Sequence, residues 1–218
     1  MNKYLYNIPL IFFLSLFLFA CKTTTVIDQH KAVTHIDLDA KETIVLLGRR
    51  HQREHETEED YISCVGKALS EGADSLNIIP EQEFIDSMYP YFETSTAPMD
   101  VKNLDKLVQH PGISKIFTDY NIHYFIWIDG STQTTEKDGV VSCVGGPAGC
   151  FGFASWSDNA NYEAKIWDLE QLIESGKIRT QTKGTSYLPA VILPIPLLAS
   201  VQSDACDGMA TQLKTFLN

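Results

Sequence analysis

His51-Gln52-Arg53-Glu54-His55 has the H-x-x-E-H spacing of a metal motif. On a helix, His51 and His55 would lie one turn apart and could reach the same zinc ion. Glu54 could then act on a metal-bound water. A third ligand would be needed, and Glu81 and Glu83 lie nearer in sequence than is expected of an enzyme with this motif. The five residues directly follow a strand-like run and carry no apolar face to hold them as a buried helix. The leading expectation is therefore a charged, solvated loop, with no catalytic residue, no bound metal and no cofactor. A zinc-dependent hydrolase using His51, Glu54 and His55 stands as the alternative.

Other chemistry has weaker signals. Ser142, Ser155 and Ser186 lie near glycines, but none sits in a G-x-S-x-G elbow. Gly145, Gly146, Gly149 and Gly152 form a glycine-rich stretch without the lysine of a phosphate loop or the spacing of a dinucleotide fingerprint. The chain has no C-x-x-C pair, the arrangement that tunes thiol acidity or begins a zinc site.

Cysteine gives the firmest reading. There are 5 in the chain. Cys21 closes a leader with Lys3 near its start, an apolar run from Ile8 to Phe19, and Ala20 just before the cysteine. That is the layout of a secretory signal peptide, and the cysteine at the cut resembles a bacterial lipobox. The resemblance implies that residues 1–20 are removed and that Cys21 becomes an acylated N-terminus anchored in a membrane. Pro9 and the short apolar run argue against a spanning helix. Lys22, with no aspartate at that position, favours the outer membrane by analogy with such lipoproteins.

Cys64, Cys143, Cys150 and Cys206 remain. An even number in an exported chain reads as two disulfides. Four cysteines allow three pairings. Cys143 and Cys150 flank a turn-rich segment, and Cys64 and Cys206 fall on helical stretches near opposite ends of the domain. Cys143–Cys150 and Cys64–Cys206 are the expected bonds. With a formal charge of −11, the chain has no electrostatic drive toward nucleic acid or anionic lipid.

The elements that position these residues follow from periodicity. Residues 21–41 are polar and threonine-rich and read as a tether, and residues 42–218 as one α/β domain. Thr43 to Gly48 is a buried strand. Tyr61, Cys64, Val65, Ala68 and Leu69 recur with helical spacing. Ser75 to Pro80 is a second strand, and Glu81 to Phe92 a helix ended near Pro90. Leu104 to Tyr120 is helical with a break at Pro111-Gly112. Ile122 to Asp129 is a strong strand. Val140–Val144, Phe151–Trp156, Tyr162–Trp167, Lys177–Thr182 and Ala190–Ser200 follow as short strands, with Asp158-Asn159-Ala160-Asn161 as a hairpin turn. Pro189, Pro194 and Pro196 in the apolar run Leu188 to Ala199 exclude a membrane helix. Gln202 to Leu217 closes the chain as a helix with Ala205, Met209, Leu213 and Phe216 inward. Trp127, Trp156, Trp167, Tyr162 and Tyr187 read as core or cross-strand aromatics. The aromatic, proline-rich residues Met88 to Pro98 are a candidate contact loop.

The predicted fold is a two- or three-layer α/β sandwich: a mixed sheet with helices packed on it and an antiparallel C-terminal meander. The element order, with Asp60-Tyr61-Ile62-Ser63-Cys64 on a helix, Tyr162 to Asp168 on a strand and Ala205 to Ala210 on the last helix, resembles one fold group. It contains the curli-secretion lipoprotein and the N-terminal domain of the TolB translocation protein. The insert Leu169 to Gly176 and the loop between Cys143 and Cys150 depart from that pattern. The resemblance implies a non-catalytic envelope role with an envelope protein partner. The expectation is a lipid-anchored binding or assembly component on the periplasmic face of the bacterial outer membrane, held to the membrane through Cys21.

Overall fold

The computed structural model describes residues 23–32, 36, 38–39, 41–49, 56–91, 107–144 and 149–218. Ten elements follow in order: β1 (Thr23–Lys31), β2 (Thr43–Gly48), α1 (Glu59–Ser70), β3 (Asn77–Ile79), α2 (Glu81–Met88), α3 (Pro111–Asp119), β4 (Ile122–Val144), β5 (Gly149–Asp168), β6 (Ile173–Pro194) and α4 (Val201–Leu217). The strands form one six-stranded sheet in the order β1-β6-β5-β4-β2-β3. β3, β2 and β4 run parallel, and β4, β5, β6 and β1 run antiparallel. This is the mixed α/β sandwich that the element order predicts, in its three-layer form.

Alternation along the strands builds the layers, because successive side chains point to opposite faces. Ile44 and Leu46 of β2 and Tyr124, Ile126 and Ile128 of β4 face α1 and α4. Val45 and Leu47, with Phe125 and Trp127, face α2 and α3. All six residues of β2 are buried, as expected of a parallel strand covered on both sides. On the first face α1 contributes Tyr61, Val65 and Leu69, and α4 contributes Ala205, Met209, Leu213 and Phe216. On the second, Phe84 and Phe117 meet Phe125 edge to face, with ring centroids 5.3 and 5.6 Å away.

Helix ends are set locally. Pro111 opens α3 where a missing N–H costs nothing, and Nδ1 of the preceding His110 accepts from the Gly112 N–H at 3.3 Å. Lys214 of α4 closes the C-terminal end of α1, donating to the Glu71 carbonyl at 2.5 Å and to Asp74 Oδ1 at 3.0 Å. That lysine hydrogen bond holds the Asp74 carboxyl below the usual aspartate range.

The structure departs from the sequence reading in three places. Thr23–Lys31 lies within the segment read as a tether, yet it pairs with β6 along its whole length, from Thr23 opposite Gly184 to Lys31 opposite Gly176. Five consecutive β-prone residues, Thr23 to Ile27, meet an open sheet edge, and Thr25 and Ile27 pack toward Gly208 of α4. The turn assigned to Asp158–Asn161 is instead the middle of β5, paired on both sides. The meander is three long strands of 23, 20 and 22 residues rather than five short ones. The turn between β5 and β6 comes after Asp168, whose Oδ1 accepts from the N–H groups of Glu170 and Gln171 at 2.8 Å each.

These long strands outrun their neighbours. β2 accompanies β4 only as far as Ile128, and β1 accompanies β6 only as far as Gly184. Beyond that level β4, β5 and β6 continue as a three-stranded ribbon clear of the helices. A return segment pairs once with its edge, where Tyr187 and Leu197 exchange backbone hydrogen bonds of 2.8 Å.

Candidate functional site

Ligand sites in sheets of this kind gather at the carboxyl ends of parallel strands. Here β2 ends at Gly48, opposite Ile128 of β4, which continues into the ribbon. The Arg49 N–H donates to the Ile128 carbonyl at 3.0 Å, and its guanidinium to Asp129 Oδ2 at 2.6 Å. The Thr57 N–H donates to the Arg49 carbonyl at 3.0 Å, so Arg49 and Thr57 lie side by side. The Thr57 hydroxyl donates to the Ile128 carbonyl at 3.2 Å. His51, Glu54 and His55 lie outside the described residues. Among the described residues no group of three or more histidines, cysteines or acids could hold a metal ion.

Glu58, just before α1, organises the neighbouring cluster. Its Oε1 accepts from the Thr132 N–H at 2.7 Å, and its Oε2 accepts from the Tyr162 hydroxyl at 3.0 Å. The Tyr162 oxygen lies 2.8 Å from the Thr132 hydroxyl. Since the Tyr162 proton goes to Glu58, Thr132 is the donor in that contact. Tyr162 stacks on Tyr61 with ring centroids 3.5 Å apart and planes at 7°. Burial pushes both phenols well above their ordinary range, and the charge of Glu58 adds to the effect. A carboxylate with both oxygens engaged is not a free general base, and phenols held protonated are not nucleophiles. The cluster ties α1 to β4 and β5.

A groove of about 660 Å³ runs between α1 and the start of α2, lined in part by Leu46, Ile62, Gly66, Ile78 and Pro80. Its floor is fixed where Glu81 Oε1 accepts from the Gly48 N–H at 2.9 Å.

The cysteines are paired as Cys64–Cys206, joining α1 to α4 with α-carbons 6.3 Å apart, and as Cys143–Cys150 across the far end of the ribbon. Cys21 lies outside the described residues, two positions before Thr23. Thr23 is fixed to α4 as well as to β6, its hydroxyl hydrogen-bonding Asp204. Trp127 and Trp167 are core residues stacked at 6.1 Å, whereas Trp156 and Tyr187 stand on the ribbon. Met88 is buried and Tyr89 and Tyr91 are exposed, while residues 92–98 of the candidate contact loop lie outside the described residues. No helix among the described residues is long and apolar enough to cross a membrane.

Sequence reasoning missed the Glu58–Tyr162 lock, whose partners are 104 positions apart, and it missed the ribbon. The second had a signal: no Asp, Glu, Lys or Arg occurs between Asp138 and Asp158, or between Lys183 and Asp204.

The fold defines a three-layer α/β sandwich with a projecting ribbon. Neither a protein-family model nor a curated protein matches the sequence. Among solved structures the chain is similar to a PelC dodecamer from Paraburkholderia phytofirmans, at 11% identity and a TM-score of 0.40, over 89% of this chain and 98% of that one. A point variant of the same dodecamer gives 10% identity and a TM-score of 0.40, over 89% and 99%. Likeness this loose does not say what the chain does.

Proposed function

We propose that this chain is a lipid-anchored domain on the periplasmic face of the bacterial outer membrane, acting as a non-enzymatic binding or assembly component of the cell envelope. The observation that carries the reading is the position of Cys21. It ends a secretory-type leader, and the folded sheet begins two residues later at Thr23. An acylated cysteine there would hold the domain directly against the bilayer. Two disulfides suit an oxidising compartment. The best-organised polar cluster, around Glu58, has its groups engaged in structural hydrogen bonds.

The test is metabolic labelling of the full chain in cells with an alkyne fatty acid, followed by membrane fractionation. Label on the wild-type chain, lost in Cys21→Ser together with outer-membrane fractionation, supports the reading. An unlabelled wild-type chain, or equal labelling of Cys21→Ser, overturns it.

A further inference from the structure

The ribbon carries an apolar surface that no other part of the described chain covers. Paired residues on antiparallel strands share a face, and alternate residues along each strand share it too. Val140 is opposite Phe153, and Ser142 is opposite Phe151, which is opposite Val191. Val140, Val144, Phe151, Phe153, Val191 and Leu193 therefore lie on one face. Val140 and Val191 are each 74% exposed, and Phe151 and Phe153 are more than half exposed. The opposite face carries the Cys143–Cys150 disulfide and Ala190, which is buried. Contiguous exposed apolar area on this scale marks an interaction site.

We propose that this face of the ribbon lies on a lipid bilayer, buried to the boundary between headgroups and acyl chains. Three observations select lipid as the occupant. The apolar face belongs to two stretches without a single charge, one between Asp138 and Asp158 and one between Lys183 and Asp204. At the apolar margin stands Tyr187, on the same face as Phe153 with ring centroids 5.9 Å apart, an aromatic with a polar tip of the kind that gathers at the membrane–water boundary. The chain also enters the sheet there. Thr23 pairs with Gly184 at the base of the ribbon. Cys21 is within about 7 Å of Thr23 along the chain. An acyl anchor on Cys21 and the ribbon face would thus meet the same membrane surface. Up to this point the inference rests on the anchored reading above.

The geometry also limits how the ribbon can sit. Beyond Ile128 the outer edge of β4 has no partner strand. Unpaired backbone groups do not enter hydrocarbon, so a lone ribbon cannot cross the bilayer end-on. Lying face-down, it buries one apolar face and leaves its edges hydrated, as interfacial elements do at a depth of about 5–10 Å.

The experiment uses the full acylated chain reconstituted in phosphatidylethanolamine–phosphatidylglycerol vesicles, with and without bromine high on the acyl chains. Phe151→Trp and Val191→Trp report on the face, against the parent protein with its own tryptophans. Bromolipid is expected to quench the added tryptophan about twofold, while aqueous acrylamide loses access to it. Three results overturn the proposal. In the first, vesicles float with the protein and the added tryptophan stays open to acrylamide, which removes the ribbon contact and leaves the anchor standing. In the second, the tryptophan is shielded from both quenchers in a species larger than one chain, which makes a second copy the occupant. In the third, the protein fails to float, and both readings fall together.

Discussion

Tyr61 of α1 and Tyr162 of β5 stack face to face, ring centroids 3.5 Å apart, with Glu58 accepting the Tyr162 proton. Free phenols ionise near pH 10, and burial pushes both of these higher. As pH rises, the unfolded chain therefore loses these protons before the folded one does. Their contribution to stability is fully present below about pH 10 and is lost as pH climbs through the folded values. The urea midpoint should fall steeply above about pH 10. Tyr61→Phe should flatten that fall at a modest stability cost at neutral pH. An unchanged alkaline slope in the Tyr61→Phe, Tyr162→Phe double variant would refute the account.

Glu58 is the hinge of the same cluster. Glu58→Ala leaves the Thr132 N–H and the Tyr162 hydroxyl without their acceptor, at a cost of about 1–3 kcal/mol. Glu58→Gln keeps an acceptor oxygen and should recover part of the loss. Urea unfolding of the two variants separates them. A Glu58→Ala variant as stable as the parent would mean that the carboxylate holds nothing.

Much of the domain was legible because burial and period agree. Ile44 to Leu47 is an unbroken apolar run, as a strand covered on both faces reads, and all of it is buried. Ala205, Met209, Leu213 and Phe216 repeat with the helix, and all are buried in α4. Cys64 and Cys206 were readable as partners because both lie on helical faces. The failures lie where local preference loses to tertiary pairing. Asp158 and Asn159 favour turns, yet they lie mid-strand between two partners, with Asp158 Oδ1 accepting from the Thr134 hydroxyl at 2.7 Å. Thr23 to Ile27 become a strand only because β6 offers an edge. The stretch from Gly139 to Ser157 looked like hairpins, and nothing local says that it projects past the domain.

Two glycines should respond to substitution with opposite signs. Gly130 sits in β4 at φ +138°, and a Cβ there would meet the Asn161 carbonyl oxygen at 2.0 Å. Gly130→Ala should cost at least about 2 kcal/mol, since it combines a strained backbone with a clash against another strand's main chain. Gly66 lies inside α1, and its nearest prospective contact is Leu46 Cδ2 at 3.6 Å. Gly66→Ala should stabilise by about 0.5–1 kcal/mol through helix propensity. Thermal unfolding of both variants checks the pair. A stabilising Gly130→Ala would mean that the crossing of β4 and β5 differs from the one described.

The two disulfides should differ as sharply. Cys64–Cys206 spans 142 positions and joins α1 to α4 across the main core. In the loop-entropy model a closure of that length is worth about 5 kcal/mol. Replacing both cysteines by alanine also removes buried contacts at Cys206, so the double variant should unfold at much lower urea and melt well below the parent. Cys143–Cys150 spans 7 positions at the end of a ribbon outside both core clusters. Its removal relaxes about 2 kcal/mol of loop entropy in the same model, and that loss falls on the ribbon end. The global midpoint should stay close to the parent, while amide exchange at Val141, Ser142 and Phe151 should accelerate. Matching drops in global stability for the two double variants would mean that the ribbon unfolds together with the core.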